Sequence, residues 1–200
     1  MLQHLRPAVV MIAMFTLLTG MAYPLGITAV AYVLFPTAAG GSLIVKDGKT
    51  VGSALIGQAF KSDRYFQPRP SATTAADPQD ASKTVDAPYN AASSAGSNLG
   101  PITQKLLDRV KADVESLRAA GIDGPIPADA VTASASGLDP HISPDWALMQ
   151  VPRVARARGL PEARVRELVA ARIEGRSLGI LGEPRVNVLM LNLALDALQQ

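Results

Sequence analysis

The apolar and polar positions of this chain fall into one long block followed by a series of short ones. From Pro7 to Val45 there is no Lys, Arg, Asp or Glu, and Ala8 to Phe35 is almost wholly Ala, Val, Ile, Leu, Met, Phe, Tyr and Gly. About 20 such residues suffice to cross a bilayer as a helix, so the block predicts one membrane-spanning helix over residues 7–35 behind a short flank, 1–6. Pro24 removes a backbone donor mid-run and should bend the helix. Gly20, Tyr23, Pro24 and Gly26 are the candidates for packing against another membrane helix, the glycines forming a small-residue face with Ala22. A cleaved leader ending near Ala29-Val30-Ala31 is the competing reading, but the apolar stretch runs on through Val33, Leu34 and Phe35.

Residues 36–200 carry the patterning of a single folded domain. Two apolar, β-branched runs, Ser42–Val45 and Val51–Phe60, bracket Lys46-Asp47-Gly48-Lys49. Asp-Gly in that setting predicts a hairpin, since Gly accepts the positive φ of a tight turn. From Gln67 to Ser97 the chain turns to Pro, Ser, Ala, Asp and Asn, which reads as a long irregular loop. Ile102, Leu106, Val110, Val114 and Leu117 recur at helical spacing between Pro101 and Gly121, predicting a helix over 101–120. Its Arg109–Asp113 and Lys111–Glu115 pairs read as solvated pairs on the wet face.

Ser143-Pro144-Asp145 has the cap, proline and first-turn acid of a helix entrance. That helix carries Trp146, Met149, Val154 and Ala155, with Pro152 expected to kink it. Pro161 opens another, with Val165, Leu168, Val169 and Ile173 on one side. Val186–Leu198 begins like a strand and ends like a helix. The mixture predicts an α+β soluble domain tethered by one N-terminal transmembrane helix.

Composition narrows the chemistry. There is no cysteine, so disulfides, thiol catalysis and thiolate metal sites are all excluded. A formal net charge of +2 with mixed signs gives no electrostatic case for nucleic acid. Gly48-Lys49-Thr50 lacks the upstream glycine and following helix of a phosphate loop. Asp47-Gly48-Lys49-Thr50 lacks the residue order of a P-type phosphorylation motif. The arginines of 153–172 suggest a helix-turn-helix, but an ordinary helical hairpin with a solvated basic face explains them better. The only histidines are His4 and His141, the acids are scattered, and no Gly-x-Ser-x-Gly elbow occurs. His141 beside Asp139 reads as a structural hydrogen-bonder rather than a base or metal ligand. No metal site is expected.

A series of segments, in order along nearly the whole chain, resembles the C subunit of the Kdp potassium-transporting ATPase. They include Leu18-Thr-Gly20 and Tyr23-Pro-Leu25 in the span, Val51-Gly-Ser53 and Ile56-Gly-Gln-Ala-Phe60 after it. Pro68-Arg-Pro-Ser-Ala72, Tyr89-Asn90 and Ser97-Asn-Leu-Gly-Pro101 follow. The most specific is Ser136-Gly-Leu-Asp-Pro-His-Ile-Ser143, with Gln150-Val151, Arg153-Val-Ala155 and Pro184-Arg-Val-Asn-Val188 beyond it. Arg69, Asn98, Ser136, Gly137, Asp139, His141, Arg153 and Asn187 are thus family-motif residues without an assigned role.

This resemblance implies a non-catalytic subunit of a bacterial inner-membrane complex that imports K⁺ using ATP. Its implied partners are an ATP-hydrolysing subunit and a channel-like, K⁺-binding subunit. The family is credited with aiding assembly and with raising the nucleotide affinity of the hydrolytic subunit, as a catalytic chaperone. That role has been attached to a glutamine, here Gln150, whose carboxamide is able to hydrogen-bond a ribose or base edge. No tightly bound cofactor is implied; ATP is met directly or through the hydrolytic subunit.

The residues themselves favour another geometry. Arg6 before the span and Lys46 and Lys49 beyond it leave a small bias for a cytoplasmic N-terminus. The soluble domain is then extracytoplasmic, where Gln150 cannot touch cytoplasmic ATP. In that geometry the domain caps the channel-like subunit, and any effect on nucleotide affinity is indirect. The alternative outside this family is an anchored extracytoplasmic binding module unrelated to transport.

Overall fold

The computed structural model of the chain describes residues 2–198; Met1, Gln199 and Gln200, at the outer edges of the expected flank and domain, lie outside the described residues. Two compact units meet in sequence between Ser53 and Ala54. The first contains, after a short 3-10 turn at Leu2–His4, one long helical run, Leu5–Leu34, of 30 residues. At 1.5 Å per residue it is about 45 Å long, more than the ~30 Å hydrocarbon layer. It comprises α1 (Leu5–Leu17), a π-turn over Leu18–Ala22 and α2 (Tyr23–Leu34). Within the turn the Tyr23 N–H reaches back five residues to the Leu18 carbonyl.

That widening sits directly ahead of Pro24, whose ring obstructs the carbonyl four residues before it. The bend-inducing proline is thus accommodated by a π-turn inside a continuous helix. A Cβ added at Gly20 or Gly26 would meet nothing within 4 Å, so both positions stand open. After the four-residue α3 (Pro36–Ala39) come β1 (Leu43–Lys46) and β2 (Lys49–Ser53), an antiparallel hairpin with a register shift between Ile44 and Val45. Asp47 and Gly48 both take positive φ, 52° and 74°, as the two-residue turn requires. The second strand stops at Ser53, short of the expected Phe60.

In the second unit, the segment expected to be wholly irregular contains a small hairpin of β3 (Thr74–Ala76) and β4 (Thr84–Asp86). Then come α4 (Gln104–Ala119), β5 (His141–Ile142), α5 (Pro144–Arg158), α6 (Glu162–Ala170), β6 (Ile173–Glu174), β7 (Arg185–Asn187) and α7 (Val188–Ala197). The last three strands form an antiparallel sheet in the order β5-β7-β6. The ambiguous segment after Val186 is therefore both strand and helix. Asn187 ends the strand and caps the helix, its side chain accepting from the Met190 N–H.

Ser143 caps α5 through the Trp146 N–H, and Gly159 closes it at φ 66°. The helix runs through Pro152 without a break. The core joins Phe66, Trp146, Val151, Val154, Val165, Val169, Val186, Leu191 and Leu195, all buried. Against the expectation, Ile102 precedes α4 rather than joining its apolar face, and it is 90 % exposed. Ile173 lies in an exposed strand, not on α6. Arg109 Nε and Asp113 Oδ2 are buried without hydrogen-bond partners, so this pair is half-buried rather than fully solvated, and burial raises the Asp113 carboxyl while Arg109 opposes it.

Removing the Leu191 side chain should lower stability by about 2–5 kcal/mol through the cavity it leaves. Ile102→Ala should stay within about 0.5 kcal/mol. Urea unfolding of the full chain in detergent checks both, and an Ile102 effect equal to that of Leu191 would contradict this core.

Candidate functional site

Residues 63–67 run from exposed Asp63 and Arg64 inward as neither helix nor strand, burying Phe66 completely. Peptide groups in such a path need partners that no ladder provides, and side chains of α5 and α7 supply them. Arg153 donates to the carbonyls of Asp63 (2.9 Å) and Tyr65 (3.1 Å), and Arg158 donates to that of Arg64 (2.6 Å). Asn192 accepts from the Phe66 N–H at 2.8 Å and donates to its carbonyl at 2.9 Å. Gln150 does the same for Gln67, at 2.7 and 3.1 Å. Five consecutive carbonyls are thus held by side chains.

The clamp is also braced internally. Arg153 donates to Gln150 Oε1 at 2.7 Å. The Arg158 side chain, 2 % exposed, meets Asp196 at 2.7 Å and lies over the Tyr65 ring, 4.8 Å from its centroid. Burial pulls the Arg153 guanidinium below its ordinary pKa, with Asp63 opposing. Gln150 is 0 % exposed, and its carboxamide is engaged at both ends.

A second group of motif residues gathers around Asp139. Arg69 pairs with Asp139 at 3.0 Å and donates to the Thr132 carbonyl at 3.2 Å. Asp139 Oδ1 accepts from the His141 N–H at 3.0 Å and lies 3.3 Å from His141 Nδ1. Burial alone would raise the Asp139 carboxyl, but the hydrogen bonds from His141 and Arg69 outweigh it and hold the group below its ordinary value. Tyr89 donates to the Arg69 carbonyl at 2.8 Å; burial first, then Asp139, push its phenol well above the usual range while Arg69 opposes.

The Ser136–Ser143 segment ties neighbouring irregular chain together. Ser136 accepts from the Ala95 N–H through its carbonyl (3.0 Å) and from the Leu138 N–H through its hydroxyl (3.1 Å). Gly137, at φ 66°, would place a Cβ 2.6 Å from the Ala95 carbonyl oxygen and from Thr73 Cγ2, so no side chain fits. Asn187 donates to the Ala54 carbonyl at 2.8 Å. Asn98 adopts φ 50°, a conformation Asn tolerates better than most residues. Within the helical run, Gly20, Tyr23, Pro24 and Gly26 are all exposed.

The structure therefore brings Gln150 and Arg153 into one cluster, Arg69, Asp139 and His141 into another, and leaves Asn98 apart from both. Sequence reasoning named none of Arg158, Asn192 and Asp196 as site residues, although Leu191-Asn-Leu-Ala-Leu-Asp196 is also a segment of the family resemblance. Arg158 had read as part of a solvated basic face, yet it is buried. The available signal was spacing: Gln150, Arg153 and Arg158 share the helix side that carries Trp146 and Val154. A cavity of ≈ 530 Å³ is lined by Arg69, Asp129, Asp139, His141, Ser143 and Arg185 among others. Its hydroxyl is committed, since Ser143 donates to Asp129 at 2.9 Å while capping α5. Among the described residues no group of three or more His, Cys, Asp or Glu could hold a metal ion.

Because the Asp139 carboxylate is bound more favourably when folded, its contribution is full above about pH 4 and is lost as pH falls through the lowered folded value. Asp139→Asn should cost about 1–2 kcal/mol at pH 7 and flatten the acid limb of the stability profile. Thermal melts across pH 3–7 check this (a range set by the ordinary carboxylate value of about 4); an unchanged acid limb would contradict it.

Comparison with known proteins agrees with the motif pattern. The family model described as "KdpC: K+-transporting ATPase, c chain" matches residues 5–197. A potassium-transporting ATPase KdpC subunit of Methylobacterium nodulans is 66 % identical over 198 residues, covering 99 % of this chain and 98 % of that protein. Those of Rhodopseudomonas palustris BisB18 and Bradyrhizobium diazoefficiens are 64 % and 61 % identical, each covering 98 % of this chain and 99 % and 98 % of their own lengths. Matched along nearly its whole length, with one helix long and apolar enough to span a membrane, the chain belongs to the KdpC family, subunits of the K⁺-transporting ATPase.

Proposed function

We propose that this chain is a non-catalytic, structural subunit of an ATP-driven K⁺ import complex in the bacterial inner membrane. It crosses the membrane once with its N-terminus in the cytoplasm, and its second unit lies outside, capping the channel-like subunit. The ATP-hydrolysing subunit is the other partner, and Gly20, Tyr23, Pro24 and Gly26 form the face offered to a neighbouring membrane helix.

The observation that carries this reading is the commitment of the motif side chains to the fold itself. Gln150 is fully buried and spends its carboxamide on Gln67 and Arg153. Arg69, Asp139 and His141 are joined to one another. Such a domain offers a fixed shape rather than a reactive centre. Any rise in the nucleotide affinity of the hydrolytic subunit then arises through assembly, as coupling between distant sites, with no ATP bound by this chain.

Replacing the chain by its first 53 residues should abolish recovery of a stable complex and K⁺ uptake. In the same cells, a full-length chain with a single cysteine at Ala92 should react with an impermeant maleimide without lysis. A transporting complex containing only the anchor unit, or labelling only after lysis, would overturn this reading.

A further inference from the structure

The turn between β6 and β7 is folded into a finger. Ser177 and Leu181 exchange backbone hydrogen bonds of 2.8 and 2.9 Å. Leu178, Gly179 and Gly182 take positive φ, at 54°, 77° and 79°. At the tip, Leu178, Ile180 and Leu181 are 89, 74 and 58 % exposed, and none of them belongs to the core cluster. Three large aliphatic side chains held together in water are a surface awaiting cover.

The charges beneath the tip are arranged to suit that cover. Arg176 pairs with Glu183 at 2.7 Å, and Arg185 pairs with Glu174 at 3.0 Å. Glu174 is matched by its cross-strand partner Arg185 and Glu183 by Arg176 across the turn. Arg172 adds an exposed guanidinium, so the finger carries three arginines against two glutamates. An apolar tip with a surplus of guanidinium behind it matches a layered surface, apolar inside and anionic outside.

The same chain supplies such a surface through its own bilayer-spanning helix. Only 19 residues, 35–53, separate Leu34 from Ala54. Even fully extended they would reach about 65 Å, so the second unit never leaves the neighbourhood of the membrane. We propose that the Leu178–Leu181 tip seats in the interfacial layer of that bilayer, with the surplus guanidinium of Arg172 at lipid phosphates. This contact gives the second unit a second attachment to the lipid surface, on whichever side of the membrane it lies.

The absence of native cysteine allows a direct test. Full-length Leu178→Cys and Ile180→Cys chains, each labelled with an environment-sensitive nitrobenzoxadiazole probe, are placed in nanodiscs of phosphatidylcholine with one quarter phosphatidylglycerol. An Ala92→Cys chain serves as the water-exposed reference. Emission of the buried Trp146 confirms that each variant is folded. Both tip probes should show blue-shifted emission and strong quenching by brominated lipid, and the Ala92 probe neither. Tip probes as water-exposed as the reference would overturn the proposal. So would a shift that arises only on adding the other transporter subunits and resists bromolipid quenching, which would mark a protein contact instead.

Discussion

A segment that dips from the surface into the core without forming a helix or strand leaves its peptide groups to be satisfied by whatever side chains surround it, and residues 63–67, running from exposed Asp63 to buried Phe66, place that demand on this fold. An unpaired buried peptide group costs about 1–3 kcal/mol, a sizeable part of a domain's net stability, and the demand is strongest at fully buried Phe66. The four side chains that meet it, Gln150, Arg153, Arg158 and Asn192, stand on α5 and α7. Phe66 is thereby fixed in the core, and the chain leading to Arg69 is set on its course. The polar interior of the second unit is thus structural before it is anything else.

From Arg69 onward the same economy governs the loops. The Arg69–Asp139 pair, the Tyr89 hydroxyl on the Arg69 carbonyl and the hydrogen bonds of Ser136 join stretches that have almost no regular structure. Side-chain networks of this kind are costly when incomplete and rigid when satisfied. A rigid irregular surface suits the structural role proposed for this subunit.

Local patterns were legible in the sequence. The apolar block became the Leu5–Leu34 helix, Asp47-Gly48 became the turn between β1 and β2, and Ser143-Pro144 opened α5, because each depends on neighbours in sequence. The clamp was not legible as geometry: which side chain meets a carbonyl 80 or more residues away depends on packing. Arg153 and Arg158 look like surface arginines in sequence, and only their helix face shows otherwise. Ile102 fits the helical spacing of Val110 and Val114, but the helix begins only after the extended Thr103, which leaves Ile102 outside it. The short β3–β4 hairpin lacked any apolar alternation to announce it. Gln150 was singled out by resemblance as a nucleotide contact, whereas its surroundings give a physical reason for a glutamine that involves no ligand.

The central claim is that Gln150 acts by holding residues 63–67 in place. Its most direct test is Gln150→Leu in the whole complex, read simultaneously for stability and for the ATP KM of the assembled fraction. Leu fills the space but leaves the Gln67 N–H and carbonyl unpaired, at a cost of about 1–3 kcal/mol. The account predicts a lower melting temperature and less assembled complex, with an unchanged ATP KM in what does assemble. A complex of full stability and yield whose KM for ATP is raised several-fold would contradict it and make Gln150 a nucleotide contact.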